Sequence, residues 1–416
     1  MKQGKPLLIG CVADDFTGAG DAASFLSANG LKTLLTNGIP ADSANLSGDF
    51  SAIVIALKSR TQETSQAIAD SLAAFEWLKN QGAQTLYFKY CSTFDSTPSG
   101  NIGPVADAVL EKYDIPYTIL CPALPVNKRT VRDGILFVGD MPLSESHMKA
   151  HPLTPMWDSD ITRLMAPQSK YPTYKITADL LAQPEKIIKI VQEYCRHSRH
   201  FYLCTDYFEP IHGKQIMAVF GDLPFLTGGS GLLTAFCRYK VSGDATAQQI
   251  PHHNVHGGRL LMAGSCSVTT RGQVLQYLES GGKGLKLSPY LLSIGQQTVE
   301  DAWEFLLQNK DDDVLVYSSG SMGNIECTSN NDAAVLEQAM ATLATRAVQN
   351  GCTRLIVAGG ETSGAVTQAL GYTSFSICES VAPGVPVMVP TQNPNLHLVL
   401  KSGNFGPPDF FLTTLA

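Results

Sequence analysis

The chain has 416 residues, of which 44% are apolar and 16% charged, a balance typical of a folded protein with two or three domains. Its 30 Lys and Arg against 37 Asp and Glu give a net charge of −7, so no overall positive field is available to bind a nucleic-acid backbone. No apolar run is long enough to span a membrane, and the ten cysteines never form a C-x-x-C spacing. We therefore expect a cytoplasmic protein with reduced thiols that binds neither nucleic acid nor membranes.

Short Val, Ile and Leu runs alternate with longer helical patterns, which predicts parallel sheets flanked by helices. In the first half the expected elements are strands at 7–13, 52–57, 85–90, 117–121 and 201–205 and helices at 16–29, 62–80, 209–220 and 231–239. Asp133-Gly134 separates two β-prone segments within 129–138 and favours a tight hairpin turn. An antiparallel excursion is expected there.

The composition changes at 242–257, where SGDATAQQIPHHNVHG is polar, rich in Gly and His, and without a strong period. This predicts a linker between a first domain at 1–241 and a second at 258–416. A metal site at His252, His253 and His256 is the weaker interpretation, because no acid or Cys stands at ligand spacing and a solvated loop explains the segment. The later elements expected are strands at 259–263, 313–317, 355–358, 385–389 and 397–401 and helices at 268–280, 332–349 and 363–370.

The predicted fold class is therefore α/β, with two domains that are each a mainly parallel sheet flanked by helices. Ligands usually bind in clefts between domains, so the active site is expected in an interdomain cleft.

Three aspartates surround a glycine turn after the first predicted strand. Asp14 and Asp15 precede Gly18-Ala19-Gly20, and Asp21 follows it. The spacing loosely fits a dinucleotide fingerprint, but a pyrophosphate would meet carboxylates where that motif needs bare backbone amides. Strand-end aspartates before a tight turn are better suited to accept a proton from a hydroxyl or to bind Mg²⁺. The alternative is that Asp14 and Asp15 cap the following helix. Capping would explain only one of the two aspartates.

Cations stand at the ends of two further predicted strands, with Lys58 and Arg60 after one and Lys89 within the other. Carboxyl ends of parallel strands share one edge of a sheet, so these cations are expected beside the aspartates, where they would suit a small carboxylated substrate. Each cation taken alone would more often be a solvated surface residue. The segment CSTFDS, which contains Asp95, adds hydroxyls and an acid that suit a polyol.

Turns of small residues follow three predicted strands in the second half, in the segments GSCS, AGGETS and KSGNFG. Such turns expose backbone N–H groups at helix N-termini and can hold phosphates without cationic side chains. There is no G-x-x-x-x-G-K-[ST] motif, so the chain is not a P-loop protein. Three turns in one domain favour a nucleotide site. The similar segment 228–231 is equally a phosphate turn or a helix entry, and Cys266 is expected to be a packing thiol.

Several motifs, in this order, resemble the four-carbon acid sugar kinase family from about residue 9 to 411: ADDFTGAGD, LKSRT, FKYCSTFDSTPSGNIGP, CPALPVN, GGSGL, GSCSVTT, GGETSGAV and KSGNFG. The resemblance implies an N-terminal sugar-acid domain, a C-terminal nucleotide domain, and phosphorylation of the C4 hydroxyl of a tetronate with ATP and Mg²⁺. CPALPVNKRTVRDGILFVGD and LSESHMKAHPLTPM resemble the branch that acts on a 3-oxo-tetronate (3-dehydro-erythronate). D-threonate and D-erythronate are the alternative substrates.

By position in the matching motifs, the resemblance implies catalytic roles for Asp15, Asp14 and Asp21, with Asp15 or Asp14 as the base. The implied substrate-binding residues are Lys58, Arg60, Lys89 and Asp95. The implied nucleotide-binding residues are Ser265, Gly359, Gly360, Glu361, Thr362 and Gly403. No residue is assigned as a metal ligand, and family habit favours a homodimer.

Two other interpretations are weaker. A ribokinase-type sugar kinase also has a Gly-Ala-Gly-Asp turn, but there the turn comes late in the chain, whereas here it falls within the first 21 residues. A non-catalytic two-lobe binding protein for sugar acids would not need three acids beside a group of cations.

Overall fold

The computed structural model describes residues 7–40, 49–150, 154–241, 257–318 and 330–415. Contacts divide the chain into two compact units, Met1–Gln248 and Gln249–Ala416. The predicted linker lies outside the described residues except at Gly257, and so do the three neighbouring histidines. The predicted domain boundaries and the predicted cleft therefore stay predictions.

In chain order the strands of the first unit are β1 (Ile9–Ala13), β2 (Thr33–Asn37), β3 (Ala52–Ala56), β4 (Thr85–Lys89), β5 (Tyr117–Cys121), β6 (Arg129–Arg132), β7 (Ile135–Val138), β8 (Met141–Pro142), β9 (Thr173–Ile176), β10 (Phe201–Thr205) and β11 (Phe225–Gly228). The main sheet is parallel across all of its described strands, in the spatial order β2-β3-β1-β4-β11-β5-β10-β9. β6, β7 and β8 form a small antiparallel sheet of their own. The fully buried β1 lies in the interior of the main sheet, which explains its apolar sequence.

Small residues allow helices of the first unit to lie close to its sheet. A Cβ atom added to Gly10 of β1 would stand 2.9 Å from Cβ of Leu78, which belongs to the helix Thr64–Asn80, so only glycine permits this approach.

The described helices of the first unit are α1 (Phe16–Ala28), α2 (Thr64–Asn80), α3 (Ile102–Tyr113), α4 (Ile161–Met165), α5 (Ala178–Leu181), α6 (Pro184–His197), α7 (Pro210–Phe220) and α8 (Gly231–Lys240).

The predicted hairpin is present between β6 and β7, which pair antiparallel with Arg132 opposite Ile135. Asp133 and Gly134 have φ angles of 50° and 74°, the left-handed values that a two-residue turn of this kind requires. A carboxylate oxygen of Asp206 accepts a hydrogen bond from the Gly134 N–H at 3.1 Å. The local sequence and one tertiary contact therefore specify the same turn.

The strands of the second unit are β12 (Gly258–Ala263), β13 (Lys283–Lys286), β14 (Val314–Tyr317), β15 (Cys352–Ala358), β16 (Ser374–Ala382), β17 (Val385–Pro390) and β18 (His397–Lys401). They form a mixed sheet in the order β13-β14-β12-β15-β18-β17-β16, in which the first five strands are parallel and the last two antiparallel to their neighbours. The core of the unit centres on fully buried residues such as Leu261, Ile356 and Val399.

Both units thus confirm the predicted α/β class with mainly parallel sheets. Within the described ranges, every helix is too short or too polar to cross a bilayer. The described helices of the second unit are α9 (Val268–Glu279), α10 (Pro289–Ser293), α11 (Val299–Gln308), α12 (Asn330–Gln349), α13 (Gly360–Leu370) and α14 (Phe410–Thr413).

Candidate functional site

The predicted substrate residues lie at one edge of the first unit's sheet, where the neighbouring strands β3, β1 and β4 end. Asp14 follows β1, Arg60 follows β3, and Lys89 is the last residue of β4. Backbone hydrogen bonds tie these ends together, because the Arg60 N–H donates to the Asp14 carbonyl at 3.2 Å and the Asp14 N–H to the Lys89 carbonyl at 3.1 Å. The parallel sheet therefore brings together residues that are far apart in sequence.

The Arg60 guanidinium links two adjacent aspartates. Its Nε and Nη2 donate to both carboxylate oxygens of Asp14 at 2.9 and 2.8 Å, and its Nη1 lies 2.7 Å from Oδ2 of Asp15. Burial raises the pKa of Asp14, and Arg60 opposes that shift. The Asp14 side chain is 4% exposed and that of Asp15 is 29% exposed. Only Asp15 therefore keeps a carboxylate that a ligand can reach.

Asp15 is also the N-cap of α1. Its Oδ1 accepts a hydrogen bond from the Gly18 N–H at 2.5 Å, which satisfies one of the free amides of the first helical turn. A Cβ atom on Gly18 would lie 2.4 Å from that oxygen and 3.2 Å from Nζ of Lys89. The glycine of the turn is therefore required by the position of the Asp15 carboxylate.

Lys89 and Asp21 form a buried pair beneath these residues, with Nζ 3.5 Å from Oδ2 and side-chain exposures of only 2% and 7%. Nζ also donates to the Tyr90 carbonyl at 3.0 Å. Burial lowers the pKa of Lys89, but the neighbouring aspartates outweigh it, so the pKa is raised. Burial raises the pKa of Asp21, and Lys89 opposes that shift.

Asp95 joins the same cluster, whereas Lys58 does not. Oδ2 of Asp95 lies 4.0 Å from Nη1 of Arg60, and its Oδ1 accepts a hydrogen bond from the Thr93 hydroxyl at 2.6 Å. Lys58 is exposed, and its side chain makes no ion pair or hydrogen bond with any described residue. Six of the seven residues predicted for the substrate side are therefore in one cluster.

The predicted nucleotide residues converge in the second unit, where the adjacent strands β12, β15 and β18 end. The Gly359 N–H donates to the Lys401 carbonyl at 2.9 Å, which joins the ends of β15 and β18. A Cβ atom on Gly403 would lie 2.2 Å from Oγ of Ser265, and one on Gly359 would lie 3.1 Å from the Ser265 nitrogen. A side chain at either glycine would therefore require Ser265 to move.

The N-terminus of α13 belongs to the same corner. Gly359 is its N-cap, has a φ of 127° that favours glycine, and makes no side-chain capping hydrogen bond. Gly360 and Glu361 are exposed in the first turn, and Thr362 is buried against Gly264, where an added Cβ would stand 1.9 Å from the threonine hydroxyl. First-turn N–H groups lack partners within the helix, and they suit a phosphate.

Lys401 is a residue that the sequence reasoning did not single out, although it begins the motif KSGNFG. Its Nζ is buried and donates to the Thr270 hydroxyl at 2.9 Å and to the Gly403 and Ser402 carbonyls at 3.2 and 3.3 Å. Burial lowers the pKa of this amine to about 7. The only signal in the sequence was a lysine at the end of a strand directly before a Ser-Gly turn.

The segment 228–231 is explained by close packing. Added Cβ atoms on Gly228, Gly229 and Gly231 would lie 2.3 to 2.4 Å from the carbonyl oxygens of residues 121, 122 and 123. This favours a helix entry over a phosphate turn. Cys266 is exposed, so the expectation that it is a packing thiol is wrong.

The three aspartates around the first glycine turn do not fit a protein-bound metal. Asp14 is held by Arg60, Asp21 faces Lys89, and Asp15 already accepts from Arg60 and from a backbone amide. In the part of the chain that the structure describes, no group of three or more His, Cys, Asp or Glu side chains is arranged to hold a metal ion.

Comparison with known proteins supports the same division of roles. A model of a sugar-binding N-terminal domain matches residues 9–236, and a model of a nucleotide-binding C-terminal domain matches residues 260–411. The two models together cover most of the chain and match a sugar-binding half followed by a nucleotide-binding half.

Relatives of known name cover both units. A 3-oxo-tetronate kinase from Pseudomonas savastanoi pv. phaseolicola is 40% identical over 425 residues, covering 100% of this chain and 98% of the relative. One from Pseudomonas fluorescens is 40% identical over 417 residues, covering 98% and 96%. The crystal structure of a Haemophilus influenzae protein is 38% identical, has a TM-score of 0.76, and covers 97% of this chain and 98% of the other. The chain belongs to the four-carbon acid sugar kinase family, which confirms the resemblance seen in its motifs.

Proposed function

We propose that this protein transfers the γ-phosphate of ATP to the C4 hydroxyl of 3-oxo-tetronate (3-dehydro-erythronate), giving 3-oxo-tetronate 4-phosphate and ADP in sugar-acid catabolism. The choice of substrate rests on relatives of that name that are 40% identical along nearly their full length. The chemistry rests on one observation above all, the partly exposed Asp15 carboxylate held between Arg60 and a helix N-terminus.

Asp15 is the proposed base. As the C4 oxygen attacks the γ-phosphorus, Asp15 accepts the hydroxyl proton and the bond from phosphorus to the β–γ bridging oxygen breaks, so that ADP leaves. Asp14 is less suited to this role because Arg60 occupies both of its oxygens and its side chain is buried. Asp14 and Arg60 instead hold Asp15 in place, and Asp21 holds Lys89.

The remaining cations and Asp95 form the proposed substrate side. Lys89 offsets the repulsion between the neighbouring carboxylates, and the exposed Lys58 adds a positive charge after the same strand, β3, that precedes Arg60. Arg60 would have to give up its bonds to Asp14 before its Nε and Nη2 could bind a substrate carboxylate. Asp95 and the Thr93 hydroxyl beside it suit the hydroxyl groups of a sugar acid.

The proposed triphosphate site is the corner formed by Ser265, Gly359 and Gly403. It includes the first turn of α13, with Gly360, Glu361 and Thr362. Backbone amides and small side chains are available there, and phosphates can bind to them without a cationic side chain. Mg²⁺ enters as part of the MgATP substrate, since this ion is commonly held by phosphates and water and few protein ligands.

The proposed domain roles are sugar-acid binding at 1–241 and nucleotide binding at 258–416, joined by a linker at 242–257. We place the reaction in the cytoplasm, where ATP and reduced thiols are available, and the nine cysteines within the described residues are free. A homodimer stays a prediction, which light scattering of the purified chain would test.

An ADP-release assay with ATP and a panel of 3-oxo-tetronate, D-threonate and D-erythronate tests the proposal. The 3-oxo acid should have the highest kcat/KM, and a higher value for either hydroxy acid would reassign the substrate. If no acid releases ADP above the background hydrolysis of ATP, the kinase proposal for this chain is wrong.

The role of Asp15 is tested by Asp15→Asn. We expect kcat to fall by about 100-fold or more while ATP binding is preserved, since general-base catalysis is typically worth that much. Asp222→Asn is the matched control, because Asp222 is an exposed aspartate of the same unit paired with Lys240. A kcat of wild-type size in Asp15→Asn would remove this residue from the chemistry.

A further inference from the structure

Arg129 stands beside the cluster described above but has no role in it so far. It is the first residue of β6 and follows the carboxyl end of β5, a strand in the same parallel sheet. Two backbone hydrogen bonds with Leu124 fix its position. The Leu124 N–H donates to the Arg129 carbonyl at 2.8 Å, and the Arg129 N–H donates to the Leu124 carbonyl at 3.1 Å. The fold therefore holds this arginine at the edge where β1, β3 and β4 also end.

The guanidinium of Arg129 lacks an acidic partner. Nη1 donates to the carbonyl of Asn127, Nε is buried without any hydrogen-bond partner, and Nη2 makes no hydrogen bond with a described residue. The side-chain amide nitrogen of Asn127 is a second buried donor without an acceptor. Burying such donors unpaired is unfavourable, so an arrangement of this kind indicates a missing acceptor.

Electrostatics link Arg129 to the same cluster. Burial lowers the pKa of Arg129, and the nearby Cys91 and Asp95 act against this shift. Asp95 lies 4.0 Å from Nη1 of Arg60, so one carboxylate acts on both arginines. No described carboxylate forms an ion pair with Arg129, in contrast to the three that pair with Arg60.

We propose that Arg129 binds the C1 carboxylate of the sugar acid through its Nε and Nη2. These two N–H groups are parallel donors whose spacing matches the two oxygens of a carboxylate. The same edge of Arg60 is occupied by Asp14, and Lys89 is enclosed by Asp21, so neither offers an equivalent pair of donors. Arg129 thus determines specificity for an acid over a neutral sugar, an inference that rests on the proposed function.

The test compares Arg129→Gln, Arg129→Lys and the control Arg132→Gln. Arg132 is in the same strand but is exposed, with its guanidinium 4.6 Å from the centre of the Phe208 ring. Three quantities are measured for each variant: KM and kcat for 3-oxo-tetronate, the same constants for its uncharged amide, and the Kd of the acid without ATP. ATP binding and thermal unfolding show whether each variant is folded.

Arg129→Gln should raise KM and Kd for the acid by about 100-fold or more and leave KM for ATP unchanged, because a paired buried charge contributes this much to binding. The preference for the acid over the amide should fall by the same factor. Arg129→Lys keeps the charge without the paired donors and should give an intermediate loss, and Arg132→Gln should match the wild type.

Retention of the wild-type preference for the acid in folded Arg129→Gln or Arg129→Lys would overturn the proposal. A uniform loss of activity toward acid and amide alike would do so too, since it would indicate a structural role. If the wild type binds the acid without phosphorylating it and Arg129→Gln abolishes that binding, the kinase proposal fails while the carboxylate site is supported. A wild type that does not bind the acid would refute both.

Discussion

The buried amine of Lys401 makes the stability of the second unit depend on pH in an unusual direction. Burial lowers its pKa from 10.5 to about 7. The amine of Lys401 is surrounded by the Thr270 hydroxyl, the carbonyls of Ser402 and Gly403, and the Phe410 ring, whose centre lies 5.5 Å away. No described acid acts on the charge of this amine. The folded chain therefore releases this proton near pH 7, whereas the unfolded chain releases it only at higher pH.

The sign follows from proton binding. Between the two pKa values the unfolded chain binds more protons than the folded chain, so stability increases as pH rises above about 7 and levels off at its lower value below that pH. With these two values, the free energy of unfolding should increase by about 2–3 kcal/mol between roughly pH 6 and pH 9 from Lys401 alone. Lys401→Met removes the titrating group and should remove this increment, whatever its effect on absolute stability.

Urea unfolding of the full chain at several pH values, read by hydrogen exchange in peptides of β15 and β18, measures the second unit separately. The quantity of interest is the pH dependence of wild type minus that of Lys401→Met. Lys283→Met is the control, because Lys283 is an exposed lysine of the same unit that pairs with Asp312. Parallel profiles for wild type and Lys401→Met would refute the assignment of a depressed pKa.

Two further predictions concern the supports of each half of the site. Gly403→Ala places a Cβ atom 2.2 Å from Oγ of Ser265, so the corner must open. We expect KM for ATP to rise by about tenfold and KM for the acid to stay unchanged. An unaltered KM for ATP would exclude this corner from nucleotide binding. Asn101→Ala removes the amide that donates to the Ser59 and Gln62 carbonyls at 2.8 and 2.9 Å, on either side of Arg60. The free energy of unfolding should fall by about 1–3 kcal/mol, and kcat should fall because Arg60 is held less firmly. Calorimetry and steady-state kinetics measure both, and a kcat equal to that of wild type would show that Asn101 does not position Arg60.

The elements that the sequence predicted well are those with a strong local signal. β5, β10 and β18 have the predicted bounds, because each is a short, buried strand composed mostly of apolar residues. α3 was missed because it begins with Ile-Gly-Pro and has no side-chain capping hydrogen bond. β13 was missed because its sequence KGLK has no strand-like pattern, and it is a strand because β14 pairs with it.

The candidate site, like the fold, has features that the sequence predicts and features that it does not. The sequence determined which residue types follow each strand, since a parallel sheet places all such segments at one edge. It could not determine pairings between segments. Only the tertiary structure shows that Arg60 engages Asp14, 46 positions away in the chain, and thereby leaves Asp15 as the accessible carboxylate.

Burial, too, was decided by the fold. Lys401 and Arg129 look like ordinary cations in the sequence, because nothing local distinguishes a solvated lysine or arginine from an enclosed one. Thr270, which lies 131 positions before Lys401 in the chain, helps to enclose that lysine, and the 91–95 loop acts on Arg129. The sequence by itself determined the order of strands, helices and chemical groups, since these follow from local periodicity and turn chemistry. The tertiary structure decided which charges are neutralised and which are left free for a ligand, because desolvation and pairing depend on what packs around each group.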